Sequence, residues 1–169
     1  KFDAEDVKSI LPLSFSQITD FAFNRERWAL RRIFGYEFPS NAAAERGKAV
    51  ESGLNMILNG LDHSTAKVKM HEEFEANVKR FNDPKTLDER EKLNSLLDRG
   101  VQAFKDNALT WNLTGYQEKI EIDILGIPLI GYTDFKFEDK NTKEDFYIDL
   151  KTTGRKPTGV SMAHAMQQS

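Results

Sequence analysis

Near residue 117 the hydrophobic period of this chain switches, and that switch limits what it can fold into. Upstream, apolar residues recur at three and four positions; downstream they alternate at every second position, and no single element satisfies both repeats. In EKIEIDIL (118–125), Ile120, Ile122 and Ile124 alternate with Glu121 and Asp123, the pattern of a strand. A turn at Gly126 and Pro128 leads into LIGYTDFKF (129–137), read as the next strand. The polar segment EDKNTKED then connects to a third strand, FYIDLKT (146–152). Strands joined by short links predict an antiparallel meander.

Before the switch the chain reads as helices. Residues 14–34 open with Ser14 and Gln17 three apart, a capping-box pattern, and carry Phe15, Ile18, Phe21, Ala22, Trp28 and Leu30 on a broad apolar surface. Phe21 and Trp28 are expected in the core. Arg25, Arg27, Arg31 and Arg32 make a basic surface of the same helix, divided between plain solvated charge and candidate phosphate contacts. Helices are also predicted over 42–59, 65–81 and 86–109, the last with Leu93, Leu96, Leu97, Val101 and Phe104 as its apolar face. After a loop at 154–159, VSMAHAMQQS reads as one more helix. Helices, three strands, then a helix predict a mixed α/β (α+β) fold in one domain, 1–169. Its helical part runs to about residue 110, and its sheet and following helix run from about 117 to 169.

Composition narrows the chemistry. A net charge of −3 argues against coating nucleic acid by bulk charge, so any phosphate contact has to be local. The absence of cysteine excludes disulfides, cysteine-held iron–sulfur clusters and cysteine zinc sites. No apolar run is long enough to span a membrane and no signal-peptide core follows the start, so a cytoplasmic setting is expected. The sequence starts without Met and stops inside its last helical pattern, from which a trimmed chain lacking a C-terminal piece is expected. There is no Walker loop, dinucleotide fingerprint or Gly-x-Ser-x-Gly elbow, which argues against an ATP-driven motor in this chain.

The pair Asp149 and Lys151 stands out because it interrupts an apolar strand. Side chains two apart share a face, so both project away from Ile148 and Leu150. On the preceding strand Asp134 shares its face with Tyr132 and Lys136. If the two strands pair, Asp134 and Asp149 converge, and two converging carboxylates suit a hard divalent cation such as Mg²⁺ or Mn²⁺. Lys151 beside it can orient a water or stabilise charge on a phosphoryl oxygen. The bland reading is an ion pair on an exposed strand edge. Asp83-Pro84-Lys85 and Glu138-Asp139-Lys140 fit the same spacing, but in polar, turn-like surroundings. Glu51 lies inside the apolar stripe of the 42–59 helix, where an acid is costly unless a cation meets it; Arg46 or Lys48 would be the ordinary partners. Arg155 and Lys156, in the loop after the Lys151 strand, are placed to touch phosphates. His63, His71 and His164 lack ligand spacing and read as surface residues.

Taken together, Gly131-Tyr-Thr-Asp134, Asp149-Leu-Lys151-Thr-Thr and Gln167 resemble the PD-(D/E)XK nuclease superfamily, in its RecB-like exonuclease branch. Ser14-Phe-Ser16-Gln and Arg46-Gly47-Lys-Ala-Val-Glu51 extend the resemblance over most of the chain. It implies a restriction-endonuclease-like α-β-β-β-α core, a mixed sheet with an antiparallel start and flanking helices, carrying an N-terminal helical extension. It also implies hydrolysis of DNA phosphodiesters with one or two Mg²⁺ or Mn²⁺ ions, in phage or bacterial recombination or repair beside a recombination partner protein. By that resemblance Glu51, Asp134, Asp149 and the Leu150 carbonyl hold metal, and Asp134, Asp149, Lys151 and Gln167 are catalytic. Ser14, Ser16 and Arg46 join Arg155 and Lys156 as DNA contacts. The chain departs from the family in three ways. Glu51 stands where these relatives place a histidine, no cysteine-bound cluster exists, and the tyrosine expected four after Gln167 falls past Ser169. The absent histidine and the missing tyrosine favour a rival, a non-catalytic DNA-binding or assembly module with a degenerate site. An endonuclease acting on structured nucleic acid is the other alternative.

Overall fold

A computed structural model describes residues 10–79, 82–107 and 109–152. In chain order the elements are β1 (Leu13–Ser14), α1 (Phe15–Phe23), α2 (Arg25–Arg32), α3 (Ala42–Leu58), α4 (His63–Val78), α5 (Thr86–Lys105), β2 (Trp111–Tyr116), β3 (Lys119–Ile124), β4 (Ile127–Tyr132), β5 (Phe135–Asp139) and β6 (Asp145–Ile148). The fold is mixed α/β, of α+β type, with two three-stranded sheets. No helix among the described residues is long and apolar enough to cross a membrane. The helical pattern at 160–169, with Gln167 and His164, lies outside the described residues, as do Arg155 and Lys156.

The chain forms two compact units. Described residues 10–38 and 119–132 make the first, and those of 39–118 and 133–152 the second. In the first unit β4 pairs antiparallel with β3 and parallel with β1, giving the order β1-β4-β3. The expected capping box is present: Ser14 Oγ accepts from Gln17 N–H while the Gln17 side chain accepts from Ser14 N–H. The helix expected over 14–34 is two helices, because Asn24 leaves helical geometry (φ −150°, ψ 81°) and its side chain caps α2 by accepting from Arg27 N–H. Phe21, expected in the core, is 45% exposed, with Trp28 edge-on to it and Arg25 over its ring.

The second unit holds the buried core. Leu54 and Val50 of α3, Met70 and Phe74 of α4, and Leu93 and Leu97 of α5 are all within 2% of full burial. At Gly53 a Cβ would lie 3.3 Å from the Met70 Cβ, so only a residue without one lets α3 and α4 approach there unperturbed. Aromatic rings join α5 to the sheet. Phe104 packs on Phe135 and Phe137 of β5 at centroid distances of 5.8 and 5.2 Å, and Trp111 of β2 lies 4.9 Å from Phe146 of β6.

Two expectations about the strands are corrected. The strand read over 129–137 is two strands in two sheets: β4 stays with β3, and β5 pairs with β2 and β6 in the order β2-β5-β6. The break falls at Thr133-Asp134, whose backbone groups turn to Glu118 and Gln117. The strand read over 146–152 stops at Ile148, and past it the Leu150 N–H donates to the Asp134 side chain rather than to a neighbouring strand. β2 was not anticipated; Asn112, Thr114 and Gly115 dilute its alternation, and a register irregularity between Leu113 and Gly115 breaks it.

Candidate active site

The acids singled out from the sequence converge because of the register of β5 on β6. The last paired residues are Phe135 and Ile148, so Asp134 and Asp149 stand one step beyond the end of that antiparallel ladder. Phe146, Ile148 and Leu150 pack against the core, which turns Asp149 and Lys151 outward even where the ladder has ended. Asp134 Oδ2 accepts from the Leu150 N–H at 2.7 Å and ties the two segments together. Lys151 Nζ meets Asp149 Oδ1 at 2.6 Å, both side chains being partly exposed. The ion pair of the bland reading is therefore present, and it adjoins a second acid, Asp134.

Glu51 comes to the same place from α3. It is not paired with Lys48, which meets Glu45 at 2.8 Å, nor with Arg46, which meets Glu89. Its Oε1 accepts from Gln117 Nε2 at 2.9 Å, and its charge bears on the Tyr116 hydroxyl. Burial, then the charge of Glu51, push the Tyr116 hydroxyl well above its usual range, so it stays protonated. Tyr116 and Gln117 were not legible beforehand, since they sit at the end of the unanticipated strand β2.

The charges around Asp134 do not balance. Burial pushes its carboxyl up to about 6; the Leu150 amide and Lys151 oppose that rise, and the negative charges of Glu51 and Asp149 add to it. Among the described residues three acids thus share one lysine. The donor set is all hard oxygen, which together with the uncompensated charge suits Mg²⁺ or Mn²⁺. Spacing is another matter. Among the described residues no three His, Cys, Asp or Glu side chains are gathered closely enough to hold a metal ion. Each acid is turned to a protein donor instead: Glu51 to Gln117, Asp134 to Leu150, Asp149 to Lys151.

Arg46, expected at a DNA surface, is buried at 7% exposure. Its Nη1 meets Glu89 of α5 and its Nη2 donates to the Thr152 carbonyl at 2.6 Å, so its fork is used inside the protein. Beside it, a Cβ on Gly47 would lie 3.2 Å from Thr152 Oγ1, tight enough to push on the Lys151–Thr152 segment. Burial raises the Glu89 carboxyl, but the Lys92 hydrogen bond and the charges of Arg46 and Lys92 outweigh it and hold the group below its usual range. Glu89 was also missed, although the signal was available: it lies four before Leu93 on the apolar stripe of α5, the same oddity that drew attention to Glu51.

The other expected contacts have local roles. Ser14 and Ser16 belong to the first unit, where their hydroxyls meet at 2.9 Å. Asp83 accepts from the Ala42 and Lys85 amides and Asp139 from those of Asn141 and Thr142, as their turn-like surroundings suggested. His63 bonds to Asp98 and His71 to Asn94 on the surface of the helical layer. Comparison of the chain with protein-family models, curated proteins and solved structures yields no match.

Proposed function

We propose that this chain is a divalent-metal-dependent deoxyribonuclease of the PD-(D/E)XK kind, acting as an exonuclease on DNA without sequence specificity. The observation that carries the reading is the placement of Asp134, Asp149 and Lys151 just past the end of the β5–β6 ladder, with Glu51 of α3 near enough for its charge to bear on the half-buried Asp134 carboxyl. Surplus negative charge held by a rigid layer, with a lysine on the same outward face, is what a phosphodiesterase site requires.

In this reading Glu51, Asp134, Asp149 and the Leu150 carbonyl would draw together to hold the cation, which would supply Lewis-acid charge beside the scissile phosphate. Lys151 orients the attacking water and steadies charge that develops on a phosphoryl oxygen. Gln117 keeps the Glu51 carboxylate aimed, since its side-chain amide donates to it. Nothing in the chain resembles a groove-reading helix, so contacts fall on the DNA backbone.

Cleavage of end-labelled linear DNA in Mg²⁺ or Mn²⁺, with circular DNA resistant, is the expected result. Asp149→Ala and Lys151→Ala should abolish it, losing on the order of a thousandfold or more, while circular dichroism stays that of the wild type. Full degradation by either variant refutes the assignment. Cleavage of the circle moves the reading to an endonuclease. The ungathered spacing of the three acids favours a second reading, a non-catalytic DNA-binding or assembly module; DNA binding without metal-dependent turnover supports that one.

A further inference from the structure

We infer that Arg46 is a positioning residue that holds the Lys151 segment in place, an assignment that rests on the nuclease reading of that segment. Once the β5–β6 ladder ends at Ile148, residues 150–152 have lost their strand partner. They are held instead at two points: the Leu150 N–H donates to Asp134 at 2.7 Å, and the Thr152 carbonyl accepts from Arg46 Nη2 at 2.6 Å. Lys151 lies between those points with its ammonium outward. The second grip comes from the body of the core, because the other arm of the same guanidinium is fixed by Glu89 of α5, itself bonded to Lys92 at 2.7 Å. Gly47 leaves the room the segment needs against α3.

Stability alone is a poor reason to keep such a group. Burying an arginine and a glutamate removes both from water, and an apolar pair of similar shape is commonly as stable or more so. Arg46 Nε is in addition buried with no partner among the described residues, a further cost. What an apolar pair cannot do is grip a carbonyl oxygen in one direction. The guanidinium fork spans Glu89 and Thr152 at once, and an ammonium cannot.

The test compares Arg46→Met/Glu89→Leu and Arg46→Lys with the wild type by two measurements. One is amide hydrogen exchange at Leu150 in metal-free buffer. The other is kcat and KM for Mg²⁺-dependent cleavage of end-labelled linear DNA. The double variant should match or exceed the wild-type melting temperature, yet exchange Leu150 roughly tenfold faster and lose on the order of 100-fold in kcat with KM little changed. Arg46→Lys should fall between. If the double variant does not fold, Arg46→Lys carries both comparisons. Wild-type exchange and wild-type kcat in a folded variant overturn the assignment and leave the nuclease reading standing. If the wild type itself does not cleave, the nuclease reading falls. Exchange alone then decides whether Arg46 holds the segment: faster exchange upholds the grip, unchanged exchange ends it.

Discussion

β3 and β5 carry the same alternation of apolar and charged residues, yet Ile120, Ile122 and Ile124 of β3 are 42–52% exposed while Phe135 and Phe137 of β5 are buried. The difference lies in what covers each strand. β5 is the middle strand of its sheet and α5 lays Phe104 across it. β3 is an edge strand, and Gln17 is the one buried residue among those described in its unit. Alternation specifies a strand with an apolar face; it does not specify that the face finds a cover. The candidate site grows from the covered strand. Asp134 and Asp149 are held in register because the residues just before and after them are anchored in a packed core.

The comparison is broken most directly at Phe135. It is fully buried, with the Tyr116 ring 5.3 Å away and the Phe104 ring 5.8 Å away. Phe135→Ala should cost about 3–5 kcal/mol in urea unfolding, by lost burial and a residual cavity. Cleavage by the fraction that remains folded should also weaken, since Asp134 is the next residue. A loss below about 1 kcal/mol would mean that the aromatic layer does not organise this sheet.

Much of this second unit was legible in advance. The stripes of α3 and α5 gave the helices to within a few residues, and Ile148 and Leu150 against Asp149 and Lys151 gave the two faces of the last strand. What escaped has physical causes. The stretch 129–137 is uniformly strand-like, so nothing in its composition marks the place where Thr133 and Asp134 hand the chain from one sheet to another. β2 hides behind Asn112, Thr114 and Gly115. The use of Arg46 inside the protein depends on Glu89, 43 residues away, and long-range pairing leaves no local signature. Glu51 was legible as an anomaly because an acid on an apolar stripe needs an explanation wherever it occurs.

A subtler contrast is expected in pH dependence, and it belongs to the packed unit. A carboxyl such as Asp134 titrates near 4 in an unfolded chain, and in the folded protein it is pushed up to about 6. Between those values the folded state keeps a proton that the unfolded state releases. The contribution to stability is therefore fully present below about pH 4 and lost as pH rises through 6. Asp134→Asn should gain on the wild type in melting temperature as pH goes from 4 to 7, by an amount that solvent screening of this half-buried group keeps modest. A metal site predicts one thing more: millimolar Mn²⁺ should narrow the gap at pH 7, because a cation relieves the repulsion from Glu51 and Asp149. A gap that widens with falling pH would reverse the sign and remove Asp134 from the centre of the cluster.

The smallest effect is expected on the uncovered strand, and there a null result is the informative one. Ile122 is 52% exposed and pairs with Leu129 across the β3–β4 hairpin. Ile122→Thr keeps the branched side chain that a strand favours and removes little apolar surface from a packed setting. Its unfolding free energy should stay within about 0.5 kcal/mol of the wild type. The same substitution in a buried strand leaves a hydroxyl without a partner and costs several times as much. A loss at Ile122 approaching that at Phe135 would thus place this face against something in solution, and the two strands would then differ in what covers them rather than in whether they are covered.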